Sequence, residues 1–101
     1  MPEQNIKLAV DAIVFGYDQG ELYCVLIKQK FGAYKNMWSI PGGFVLDNES
    51  LSEAVKRELK EETSLEVDYL EQLYTFGDDV NRDSRFRVVS VAYFSLVNSE
   101  S

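Results

Sequence analysis

The amino-acid sequence predicts a single α/β domain of the α+β kind, with strands on either side of one helix. Three observations carry that prediction. Long β-rich apolar runs occupy residues 6–16 and 86–97. Turn chemistry at Tyr17-Asp18-Gln19-Gly20 separates the first run from a second, 22–28. Ser50-Leu51-Ser52-Glu53 has the S-x-x-E spacing of a capping box, and a helical pattern follows it. With 101 residues and 11.6 kDa, the chain is expected to fold as one domain, 1–101, whose core has little to spare.

Taken in order, IKLAVDAIVFG (6–16) and LYCVLIK (22–28) read as a hairpin. Residues 31–36 form a loop, and Met37-Trp38-Ser39-Ile40 is a short apolar piece. Pro41-Gly42-Gly43 is expected to break any regular element, and 44–46 to be extended. The helix runs from the capping box to about Thr63. Residues 66–76 read as strand, 77–85 as a polar loop, and FRVVSVAYFSLV (86–97) as a strong, largely buried strand. Cys24, Tyr69, Tyr74, Phe76, Phe86, Tyr93 and Phe94 are expected in the core.

Composition removes several function classes. Hydrophobic residues make up 46% and charged residues 27%, which excludes collagen-like and intrinsically disordered readings. No apolar run approaches the ~20 residues of a membrane span. The first residues have neither a basic region nor an apolar one, so no signal peptide is expected. A single cysteine builds no internal disulfide, which makes the cytoplasm the default. With no histidine, Ser–His–Asp and Cys–His catalysis and His-ligated zinc are excluded. Seventeen acidic residues against ten basic ones give a net charge of −7, which disfavours binding to nucleic acid. Residues 49–71 hold eight acidic side chains and only three basic ones. Such a run is either a solvated helix face or a cation site.

The helix separates these readings. At about 100° per residue, Leu51, Ala54, Val55, Leu59 and Leu65 share one arc. Glu53, Lys56 and Lys60 sit opposite. Glu58 and Glu62 lie inside the apolar arc, and Glu61 lies just off its edge. Carboxylates on a core face are costly unless paired. Arg57 is the nearest internal partner, and one guanidinium cannot neutralise three carboxylates. Either the last turn has passed the edge of the core and is wet, or a divalent cation sits there. Mg²⁺ takes oxygen ligands from a few carboxylates plus the phosphates of a substrate.

The helix is part of a longer pattern. Gly43 is followed after five residues by Glu49, and after seven more by Arg57-Glu58-Leu59-Lys60-Glu61-Glu62-Thr63-Ser64-Leu65. This resembles the Nudix box, G-x5-E-x7-R-E-U-x-E-E-x-G-U, where U is a bulky apolar residue. Every defined position matches except Ser64, where the family has Gly. Trp38-Ser39-Ile40-Pro41-Gly42-Gly43 is similar to the family's usual lead-in.

The resemblance implies a mixed β-sheet with the box packed on it as a loop–helix–loop. It implies hydrolysis of a nucleoside diphosphate linked to another group. By position, Glu58, Glu61 and Glu62, with the backbone carbonyl of Gly42, should bind Mg²⁺ or Mn²⁺. One of these glutamates, or water bound to the metal, would supply the nucleophile. Arg57 should orient the helix carboxylates by a salt bridge, and Glu49 should support the loop. Gly42 and Gly43 let the backbone approach a substrate closely. At position 64 the family's Gly fits a helix end with positive φ, where serine costs about 1 kcal/mol.

Phe76-Gly77-Asp78 and the stretch from Arg82 to Tyr93 resemble the ADP-ribose pyrophosphatase-like branch. They also resemble the sensor domain of Nudix-related transcriptional regulators. Arg82, Arg85 and Arg87 are the arginines outside the box, grouped as a substrate phosphate would want. Their plainer role is to balance Asp78, Asp79 and Asp83. Phe31, Tyr34 and Trp38 either stack on a base or simply pack. The complete glutamate set favours an enzyme over a non-catalytic nucleotide or sugar sensor. The family usually continues with another strand and a C-terminal helix, which this chain lacks after residue 97. The expectation is a fragment, a natural short form, or a chain completed by a partner. An exposed last strand would favour a homodimer.

Overall fold

The computed structural model describes residues 3–81, 83 and 86–98. Strand β1 (Ile6–Asp18) is the longest element, and β7 (Arg87–Asn98) lies parallel to it from Ile6 opposite Arg87 to Tyr17 opposite Asn98. Strand β2 (Glu21–Cys24) folds back on the end of β1 through the turn at Gln19-Gly20, both of which have positive φ. Strand β5 (Gly42–Phe44) pairs antiparallel with Ala9–Asp11 on β1, and β6 (Glu71–Phe76) pairs antiparallel with β7. The result is a mixed sheet in the order β2-β1-β7-β6, with β5 also on β1. Strands β3 (Ile27–Lys28) and β4 (Trp38–Ser39) form a separate two-stranded ribbon. Helix α1 spans Leu51–Thr63.

The core lies between α1 and one face of the β1–β7 pair. Alternation along the strands turns Val10, Ala12 and Val14 of β1 toward the helix, beside Val91 and Tyr93 of β7. The helix answers with Ala54, Val55 and Leu59, all fully buried, while Leu51 and Leu65 pack at the margin. The alanines at 12 and 54 leave room for the helix to approach the sheet closely. Among the described residues no helix is long and apolar enough to cross a membrane.

One edge of β1 explains the position of the glycines. Along that edge β1 pairs first with β5, then accepts or donates single bonds, then pairs with β2. Ala12 N–H donates to the Pro41 carbonyl at 2.8 Å, and Val25 N–H donates to the Val14 carbonyl at 2.8 Å. Gly42 and Gly43 are therefore inside a strand, whereas the sequence suggests a break there. The run 22–28 is not one strand either. It leaves β1 after Cys24 and pairs with β4 from Ile27, because β5 and Pro41 already hold the next part of that edge.

The expected strand 66–76 begins only at Glu71. All six β6 residues are exposed, so Tyr74 and Phe76 are not core, and neither is Tyr69. Tyr93 is buried, and Phe86 and Phe94 are half-buried. Cys24 is exposed because it ends a strand at the sheet edge.

Candidate active site

Helix α1 is fixed at both ends by its own sequence. Ser50 Oγ accepts the Glu53 N–H at 3.1 Å, and Glu53 Oε1 accepts the Ser50 N–H at 3.1 Å. These bonds satisfy two donors that a helix start otherwise leaves open. At the other end Ser64 adopts φ 67°, ψ 6°, and its N–H donates to the Lys60 carbonyl at 3.0 Å. This is the left-handed conformation that glycine favours.

Arg57 organises the helix face. Its Nε and Nη2 donate to the two oxygens of Glu49 at 2.9 and 2.7 Å, a bidentate pair. Its Nη1 reaches Glu58 at 2.6 Å and Glu61 at 3.3 Å, and Nη2 also donates to the Phe44 carbonyl at 3.0 Å. Glu49 further accepts the Leu46 N–H at 2.8 Å. One guanidinium thus ties the loop after β5, β5 itself and two helix carboxylates together. The Arg57 hydrogen bonds, then the Leu46 amide, hold the Glu49 carboxyl below the usual carboxylate range. The bonds to Glu49 and Glu58 hold Arg57 above its ordinary value.

Glu62 is in the opposite condition. It is half-buried and accepts the Gly42 N–H at 2.9 Å. Burial raises its pKa despite that bond, and the neighbouring Glu58 and Glu61 charges push it further up. Glu58 presses against the backbone of β5. A Cβ at Gly43 would stand 2.6 Å from the Glu58 carboxyl carbon, so any side chain there would push that carboxylate aside. A Cβ at Gly42 would meet Asp11 Oδ1 at 2.7 Å.

These residues suit a hard cation. The donors are carboxylate oxygens, crowded enough that burial and neighbouring charge push one carboxyl upward, with no histidine or thiol among them. Among the described residues no three such side chains already converge as a cage. Glu58 and Glu61 are drawn to Arg57 instead, so a cation at this face must compete with the guanidinium for them.

A cavity of about 420 Å³ is lined by Gly42 and Gly43, with Asp11, Ser39, Asp83 and Ser90 also on its walls. Arg87 is not among its lining residues, and its Nη2 donates to the Gly77 carbonyl at 2.7 Å. Arg82 and Arg85, the other arginines expected at a substrate phosphate, lie outside the described residues. Phe31, Tyr34 and Trp38 are all exposed. A second groove, of about 240 Å³, is lined by Glu61 and Glu62 together with Lys28, Lys30 and Phe31. Sequence reasoning passes over these lysines; the only signal is a Lys-x-Lys spacing at the end of a strand.

A family model described as the NUDIX domain matches residues 6–101. The chain is 38% identical over 93 residues to an ADPR responsive transcriptional repressor, NtrR, of Acinetobacter baylyi, covering 90% of the chain and 37% of that protein. It is 36% identical over 86 residues to an ADP-ribose pyrophosphatase of Methanocaldococcus jannaschii, covering 85% of the chain and 48% of that protein. The chain therefore spans less than half the length of either. Among solved structures, the NUDIX domain of Shewanella oneidensis NrtR complexed with ADP ribose matches with a TM-score of 0.84 and 35% identity. That match covers 95% of this chain and 63% of the other.

Proposed function

The chain belongs to the Nudix family, and from that premise we propose that it hydrolyses a nucleoside diphosphate linked to another group, with ADP-ribose favoured. The observation that supports this most is the helix face itself. Glu58, Glu61 and Glu62 occupy one turn beside Gly42 and Gly43, and Arg57 braces that turn. Glu58, Glu61, Glu62 and the Gly42 carbonyl would hold Mg²⁺ or Mn²⁺. Such a cation supplies Lewis-acid stabilisation of phosphate oxygens and lowers the pKa of water.

The chain's own residues do the rest. Glu62, whose carboxyl is held above the usual range, accepts the proton of the attacking water. The water oxygen bonds to one phosphorus of the diphosphate, the bridging P–O bond breaks, and ADP-ribose yields AMP and ribose 5-phosphate. Arg57 positions Glu58 and Glu61 without touching substrate. Glu49 and Ser64 support the loop and the helix end. Gly43 admits the substrate to the backbone, and Arg82 and Arg85 are assigned to its phosphates.

The similarity to an ADPR responsive repressor supports a second reading, a domain that binds ADP-ribose without cleaving it. The two readings separate in one experiment, ADP-ribose hydrolysis with and without Mg²⁺ in the native chain and in Glu62→Gln. Metal-dependent release of AMP, reduced at least about 100-fold in the variant, supports the hydrolase. A rise in melting temperature with ADP-ribose and no AMP supports the sensor. Neither cleavage nor stabilisation removes ADP-ribose from both.

A further inference from the structure

We infer that Lys28 and Lys30 form an anion clamp that holds a phosphate of the substrate against the carboxylate face of α1. This rests on the diphosphate reading above and names two of its substrate-positioning residues. Both lysines line the groove of about 240 Å³ whose other charged walls are Glu61 and Glu62. The groove carries two cations and two carboxylates, yet among the described residues neither lysine forms an ion pair. Lys60 is different: it is paired with Glu66 at 2.8 Å and is spent.

The backbone explains why both lysines face one place. Lys28 pairs with Trp38 in the β3–β4 ribbon, and Gln29 continues that ladder. Its N–H donates to the Met37 carbonyl at 2.9 Å, its carbonyl accepts the Asn36 N–H at 2.8 Å, and its side chain donates to Ser39 Oγ at 2.6 Å. Ile27 and Gln29 line the same groove, so the segment 27–31 forms one wall of it and carries both lysines there. Lys28 Nζ stands 5.8 Å from the centre of the Trp38 ring, a cation–π contact that limits its wandering.

Charge then selects the ligand. The carboxylates repel a bare anion, and the lysines repel a bare cation. A phosphate brought in with a divalent cation satisfies both walls. Phe31, the most exposed aromatic at 84%, borders the same groove and offers an apolar side to the group attached to that phosphate.

The test compares four forms of the chain: native, Lys28→Ala/Lys30→Ala, Lys28→Arg/Lys30→Arg, and Lys7→Ala/Lys56→Ala as a charge-matched control. Calorimetric titration with inorganic pyrophosphate in excess Mg²⁺ is the binding readout, and kcat and KM for ADP-ribose are measured beside it. The clamp predicts a Kd raised at least about tenfold in the alanine pair, since hydrogen bonds to charged groups are worth that much each. It predicts near-native affinity in the arginine and control pairs, and any turnover loss concentrated in KM. An unchanged Kd in the alanine pair overturns it. So does equal weakening in the control pair, loss in the arginine pair, or no pyrophosphate binding by the native chain. Hydrolysis with lysine-independent binding ends the clamp and leaves the hydrolase. Lysine-dependent binding without hydrolysis does the reverse.

Discussion

Helix α1 and strand β6 are both flanks of the same β1–β7 pair, and they are built in opposite ways. The helix buries Ala54, Val55 and Leu59 completely and fastens its polar face through Arg57 to Glu49 and Phe44. Strand β6 buries none of its six residues, though Leu73, Tyr74 and Phe76 are as apolar as anything under the helix. Apolar character alone therefore does not decide which flank of a sheet is buried. What distinguishes the helix is that its apolar stripe and its ion pairs constrain the same turn. The candidate chemistry sits on the constrained flank, and the exposed flank is left available for contact.

Breaking the anchored side should cost most. Leu59→Ala empties a fully buried site and should lower stability by about 2–5 kcal/mol in urea unfolding, with β6 substitutions showing nothing comparable. Ser64→Gly relieves a left-handed serine at the helix end and should add about 1 kcal/mol, read as a rise in melting temperature. A gain of zero would mean that the Ser64 side chain has a compensating role.

Two carboxylates on this flank should respond to pH with opposite signs. Glu62 is held above its unfolded value of 4.5, so its contribution is complete below that pH and is lost as pH rises through the native value. Glu62→Gln should therefore stabilise the metal-free protein at pH 7 and not at pH 4. Glu49 is held below 4.5, so its contribution is present above that pH and lost as pH falls through the native value. Glu49→Gln should destabilise at pH 7 and progressively less as pH falls below 4.5 and through the native value. Parallel pH profiles for the two variants would contradict the contrast. The smallest stability effect belongs to the exposed flank. Leu73→Lys should change stability by less than about 0.5 kcal/mol, read in urea unfolding.

Much of the anchored flank was legible because its signals are local. The capping box, the apolar stripe through Leu59 and the placing of Glu58 and Glu62 inside that stripe all follow from spacing within one helix. The left-handed Ser64 follows from a family glycine at that position. What sequence reasoning missed depends on distant partners. Whether Tyr74 and Phe76 are core depends on what covers β6, not on β6. The division of 22–28 into β2 and β3 depends on β5 and Pro41 taking the same edge of β1. The approach of Lys28 and Lys30 to Glu61 and Glu62 joins residues about thirty positions apart, which no periodicity records. Arg82 and Arg85 remain assignments from the sequence.

The bond from the Gly42 N–H to Glu62 has a practical consequence for spectroscopy. Its proton sits on a backbone nitrogen yet reports directly on a side-chain carboxylate. The chain has only six glycines, so selective nitrogen-15 labelling of glycine reduces the amide spectrum to a handful of peaks. One of those peaks follows the charge on Glu62, and a titration of its shift with acid, cation or nucleotide reads the helix face without any catalytic assay.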